Sequence, residues 1–271
     1  MVKARSFLSL ILFISVSFAQ VPVLRASVLD ELPGIADVTV PEVPEPPAGE
    51  TFPDYEQDRK PAFMVSESGG ERVLGGVRFE RFPDTGLYSW REVSFANEDL
   101  KEVYWGYRSG GTGHIFILFT FNSARSGDRD VPGIVIEGLP WKKKGEPFKP
   151  FSDGVSGHYP LVWNVVEWNS FLETSIGRDG LRVDVYPMKL DRAEKLRMLD
   201  EAVKEAVRDL KGEKYHTFTN SCSSNALKVF RNATGHRLLI ARMLPTVVVK
   251  HMKLRGFLGK KETFDSSNWK N

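Results

Sequence analysis

His-Ile-Phe-Ile-Leu-Phe-Thr-Phe, residues 114–121, is the stretch on which the fold reading turns. Bulky apolar side chains occupy all but two positions, with no alternation between apolar and polar. A strand with one wet face alternates with period two, so this run predicts a central strand covered on both sides. On its N-terminal side, shorter β-like runs lie at Arg72 to Phe79, Glu92 to Ala96 and Lys101 to Tyr107. On its C-terminal side they continue at Val131 to Ile136, Leu161 to Trp168 and Leu181 to Tyr186. Glycine and polar turns separate most of them. The pattern then becomes helical. Asp191 with Glu194 forms a capping box, and Leu196, Leu199, Val203, Ala206, Val207 and Leu210 follow at helical spacing up to Lys211-Gly212. A second helix is expected from Cys222 to Arg231, capped by Thr219, Asn220 or Ser221, with Gly235 beyond its end. A third, basic and amphipathic stretch starts at Leu238 and is expected to break at Pro245. Strands followed by helices predict an α+β domain over residues 62–271.

The segments before that domain read differently. Lys3 and Arg5 precede an apolar run from Phe7 to Phe18, and Ser17 and Ala19 offer small residues before Gln20. This is the pattern of a secretory signal peptide over residues 1–19. At twelve residues the run is short for a membrane span, which needs roughly 20. An uncleaved N-terminal anchor is the alternative. Residues 20–61 hold seven prolines between Pro22 and Pro53 and more acids than bases, and read as an extended arm or linker. The expected location is periplasmic or secreted. The formal net charge of +2 gives no reason to expect a nucleic-acid partner. Loss of Lys3 and Arg5 would leave a formally neutral chain.

The chain has one cysteine, which rules out an internal disulfide and a multi-cysteine zinc site. Neither a P-loop nor an HExxH motif is present, and Gly110-Gly-Thr-Gly113 lacks the third glycine of a dinucleotide fingerprint, so no cofactor or metal is expected. Cys222 falls at a helix start, in Thr219-Asn-Ser-Cys-Ser-Ser224. Unpaired N–H groups and the positive end of the helix dipole favour a thiolate there. A small buried hydrophobe is the competing reading. A nucleophilic thiol needs a base. Of five histidines, His114 opens the strongest strand behind a glycine-rich turn and is the best placed. His216, on the entry loop, would be a substrate contact, whereas His158, His236 and His251 read as solvated. Glu137, on the strand that follows, would orient the imidazole. Asn220 or Ser221, with the Cys222 N–H, would supply an oxyanion site.

Three blocks carry a family resemblance: Gly113 to Phe119 (GHIFILF), Val183 to Leu190 (VDVYPMKL) and Tyr215 to Cys222 (YHTFTNSC), with Met243-Leu-Pro245 after them. Over residues of about 90 to 258 the chain resembles the exported Lnb N-terminal periplasmic domain-like family. That resemblance implies a permuted papain-like fold, an antiparallel sheet packed with helices, akin to permuted NlpC/P60 and lecithin-retinol acyltransferase-like proteins. It matches His114 to the base and Cys222 to the nucleophile. Ser221 departs from the pattern, because an asparagine usually stands directly before the cysteine. The expected function is a periplasmic thiol hydrolase or acyl-transfer enzyme, acting on an amide or ester bond of a cell-envelope peptide or lipid. The alternative is a non-catalytic envelope-binding or scaffolding module. For that module the basic stretch (Arg242, Lys250, His251, Lys253, Arg255, Lys260, Lys261) would give peripheral membrane contact.

Overall fold

A computed structural model describes residues 55–111, 113–238 and 244–270, so the expected signal segment and most of the proline-rich arm lie outside the described residues. The strands are Phe63–Ser68 (β1), Glu71–Arg81 (β2), Tyr88–Ala96 (β3), Leu100–Arg108 (β4), His114–Phe121 (β5), Ala124–Ser126 (β6), Arg129–Asp130 (β7), Gly133–Pro140 (β8), Leu161–Glu167 (β9), Val183–Pro187 (β10) and Glu262–Phe264 (β11). Among the described residues they form one sheet in the order β11-β10-β4-β5-β8-β9-β2-β3-β6-β7, with β1 paired to β2. Pairing is antiparallel except where β2 meets β9, with Val77 opposite Val165. The architecture is α+β.

β5 lies at the centre of the sheet, between β4 and β8, with both faces covered. Ile115, Ile117 and Phe119 belong to the larger core, with residues of Arg192–Val207 (α3), Cys222–Thr234 (α4) and Pro245–Leu254 (α5). Phe116 and Leu118 belong to a second core on the opposite face. There they pack with Phe171 and Leu172 of Trp168–Leu172 (α2) and with Ile176 of the π-helical turn Glu173–Arg178. Gly106 on β4 makes room for this second core. A Cβ there would stand 2.1 Å from the Phe116 ring.

Local chemistry accounts for most element ends. The Asp191–Glu194 capping box forms as expected and starts α3. That helix stops at Val207, short of Lys211, because Arg208 turns extended and its guanidinium bridges Glu205 and Glu213. α4 starts on a second capping box, Ser221 with Ser224, and ends at Gly235 in the left-handed conformation. Pro245 begins α5 rather than breaking a helix, since the first helical position needs no N–H donor. The apolar side of α5, with Val248, Val249 and Met252, is buried, and Lys250, Lys253 and Arg255 are exposed. α2 has no counterpart in the sequence reading. The Glu167 carboxylate caps it by accepting from the Asn169 and Ser170 N–H groups at 3.0 and 2.8 Å, which ends β9 one residue before Trp168.

Of the segment read as an arm, the described residues 55–61 pack against the domain. The Tyr55 ring sits 4.6 Å from that of Trp141, and the Glu56 N–H donates to the Lys142 carbonyl at 3.0 Å. Arg78 on β2 donates to the Asp58 carbonyl at 3.0 Å. This strap runs beside the C-terminal end of β8.

Candidate functional site

Two backbone features bring the site residues together. Gly113 turns the chain into β5 with a φ of +79°, where a Cβ would stand 2.6 Å from the Tyr107 ring, and His114 follows as the first strand residue. The ladder between β5 and β8 runs from Ile117 opposite Ile136 to Thr120 opposite Gly133. Beyond the Ile117–Ile136 pair, Glu137 is the next residue of β8 and His114 lies three residues away on β5. Their side chains meet there, with Nε2 of His114 2.6 Å from Oε2 of Glu137. The other carboxylate oxygen accepts from Asn164 Nδ2 on β9 at 3.4 Å, so the carboxylate is itself held. Glu137 lies within β8 rather than at its end.

Cys222 is the first residue of α4, and its sulfur interacts with His114, the Ile115 N–H and the Ser223 hydroxyl. With Nε2 engaged by Glu137, Nδ1 is the ring nitrogen left for the thiol. Burial disfavours charge on all three groups, and their mutual attraction opposes it. At His114 the Cys222 thiolate and the Glu137 carboxylate outweigh burial, and the imidazole rises from 6.5 to about 9. At Glu137 the imidazolium, then Arg108 and Arg78, outweigh burial and bring the carboxyl down to about 2. Burial likewise opposes the thiolate, but His114, the Ile115 N–H and the Ser223 hydroxyl hold the Cys222 pKa below the ordinary thiol value. All three shifts run in the direction of a thiolate–imidazolium pair beside a carboxylate.

Cys222 and His114 retain 8% and 9% of their surface and line a cleft of about 310 Å³. Gly110, Gly111 and Gly113 form one wall, Gly138 to Pro140 another, and Phe148, Phe151 and Leu244 stand near them. Phe151 and Leu244 are largely exposed. Ser221 lines the cleft, but its hydroxyl is the α4 cap and accepts from the Ser224 N–H at 3.4 Å. Asn220 and His216 are not brought there. Asn220 Nδ2 donates to the Lys214 carbonyl at 2.8 Å, and His216 Nδ1 accepts from the Thr219 N–H at 3.3 Å, so both side chains close the entry loop. Among the described residues, their expected roles as oxyanion donor and substrate contact have no geometric counterpart, because a bridge between His216 and Asn220 folds this loop on itself.

Sequence reasoning missed four residues at the site: Asn164, Tyr215, Arg59 and Arg108. Asn164 sits within an apolar run and Tyr215 in a polar loop, and neither pattern reports the residue's partners. Arg108 ends a β-like run, and Arg59 lies in a segment that composition marks as a spacer. Tyr215 lines the cleft, and burial together with the Cys222 thiolate raises its phenol well above the ordinary range. Among the described residues no cluster of three or more His, Cys, Asp or Glu is placed to hold a metal ion, and no helix is long and apolar enough to cross a membrane.

No curated protein and no solved structure gives a significant match to the chain. One family model does match, over residues 87–254, a segment that holds His114, Glu137, Asn164 and Cys222 and more than half of the sequence. The family is a periplasmic one, in keeping with the expected compartment. By that match, the chain belongs to the Lnb N-terminal periplasmic domain family.

Proposed function

We propose that the protein is a periplasmic thiol hydrolase or acyl-transfer enzyme acting on an amide or ester bond in the cell envelope, on a permuted papain-like fold. The order of the parts supports the fold reading: the histidine strand β5 precedes the cysteine helix α4, which packs on the sheet. One observation carries the functional reading. His114 has one nitrogen 2.6 Å from a buried carboxylate and the other left for a thiol at a helix N-terminus, and both residues line an open cleft. A structural cysteine sealed in apolar packing would favour the binding module instead; Cys222 is buried but lines the cleft, which supports the enzyme reading.

The reaction proceeds in two balanced steps. The Cys222 thiolate attacks the carbonyl carbon, a C–S bond forms, and the C–O or C–N bond to the leaving group breaks as His114 passes its proton to that group. Water or an acceptor amine or hydroxyl then gives its proton to His114, attacks the thioester and releases Cys222. The Cys222 backbone N–H, at the first turn of α4 where the helix itself offers no acceptor, is suited to stabilise the oxyanion. Glu137 keeps the imidazole oriented throughout.

Incubation with a p-nitrophenyl ester and intact-mass analysis tests this. The expected product is a hydroxylamine-sensitive acyl adduct on Cys222, absent from Cys222→Ala and formed ~100-fold more slowly by His114→Ala. Absence of a thioester, or equal acylation of Cys222→Ala, would overturn the reading.

A further inference from the structure

The charges around the cleft point to what it takes, an inference that rests on Cys222 being the attacking group. Arg59, Arg108 and Lys142 line the cleft, and among the described residues no aspartate or glutamate does. The carboxylates that pair with this rim do not line the cleft themselves. Glu56 is shared between Arg59 at 3.3 Å and Lys142 at 2.7 Å, and Asp58 lies 3.7 Å from Arg59 Nε. An incoming group therefore meets cationic side chains, and no carboxylate, in the lining of the cleft.

Arg59 is the best organised of these cations. Its Nη1 donates to the Pro140 carbonyl at the end of β8 at 2.5 Å. The strap that carries it is anchored by the Tyr55–Trp141 ring contact, and its side chain is 18% exposed. Nη2 has no partner among the described residues. A guanidinium held this way has already lost its rotamer freedom and still offers donors to a planar or tetrahedral oxyanion. Tyr215, on the same cleft, feels the charges of both Cys222 and Arg59, which line it as well. The family match begins at residue 87, so the strap and Arg59 lie outside the matched segment.

We infer that the cleft selects a substrate bearing an anionic group, carboxylate or phosphate, beside the bond that Cys222 attacks, and that Arg59 holds that group. A guanidinium recognises either oxyanion by paired N–H donation, and a lysine in its place keeps the charge but loses the fork.

Alkylation of Cys222 reads this without a known substrate. Iodoacetate and iodoacetamide differ in charge and little in size, so the ratio of their rates, referred to that of N-acetylcysteine, reports the field at the sulfur. At low ionic strength the ratio is expected to be ~10-fold above that of N-acetylcysteine, to fall ~5-fold in Arg59→Gln, and to fall less in Arg59→Lys. Thermal melting of both variants checks that the strap stays folded. Inorganic phosphate and acetate, compared as competitors at equal ionic strength, separate the two sources: stronger protection by phosphate assigns a phosphoryl group, and by acetate a carboxylate. A wild-type ratio equal to that of N-acetylcysteine, or one that Arg59→Gln leaves unchanged, overturns the inference. Failure of the catalytic reading looks different, because iodoacetamide alone would then react with Cys222 no faster than with N-acetylcysteine while the ratio still reports the charge.

Discussion

At His114 burial and charge compete, and the balance has consequences on both sides of neutral pH. The imidazole rises from 6.5 to about 9, so its stabilising contribution is complete below pH 6.5 and is lost as pH rises through about 9. Glu137 behaves in the opposite sense. Its carboxyl drops from 4.5 to about 2, so its contribution is present above pH 4.5 and fades as pH falls towards 2. The stability advantage of the wild type over Glu137→Gln, followed by denaturant unfolding, is therefore expected to stay level from pH 6 down to 4.5 and to shrink as pH falls from 4.5 to 2. His114→Ala removes the main attraction that offsets burial of the thiolate. Its iodoacetamide rate at pH 6.5 is expected to fall at least ~10-fold, with the titration moving to ~8.5 or above. Cys222 and His114 were both legible as residue types in context, one at a helix start and one at a strand mouth. Arg59 was not, because its neighbours in sequence describe a spacer and its partner Pro140 lies on a distant strand.

Elements were legible where the signal is local. The HIFILFTF strand, the α3 capping box and the Gly235 stop each follow from about ten consecutive residues. The short strands β1, β6, β7 and β11 were not, since their residues show no alternation and only pairing makes them strands. The helix α2 was hidden for a related reason, as Trp168 looks like the end of a strand until the Glu167 carboxylate turns to cap the next three residues. Ser221 carries a testable share of the site at this scale. Its side chain accepts from the Ser224 N–H and starts the helix that presents Cys222. Ser221→Ala is expected to cost ~1 kcal/mol, read as a drop of ~2–4 °C in Tm, with Ser221→Asp, a good cap, retaining most of it.

At the scale of the whole molecule, one sheet separates the two larger cores of the described residues, and this shapes how mutations combine. Ile136 belongs to the larger core and Ile176 to the smaller one on the opposite face. Ile136→Val and Ile176→Val are each expected to cost ~1 kcal/mol, and the double variant to cost their sum within ~0.5 kcal/mol, measured by urea unfolding. Coupling well beyond that would mean the sheet transmits packing changes between its faces. The α+β class, the two-sided burial of β5 and the helix-start position of Cys222 were all present in the sequence, because periodicity and capping act over one or two turns of chain. The meeting of positions 114, 137, 164 and 222 was not, nor the docking of Arg59 on Pro140, nor the turning of Asn220 and His216 into their own loop. Those depend on strand order, on where the β5–β8 ladder stops and on how the strap docks. Such contacts join residues far apart in the chain, and only the packing of the complete sheet with its helices brings them within hydrogen-bond reach.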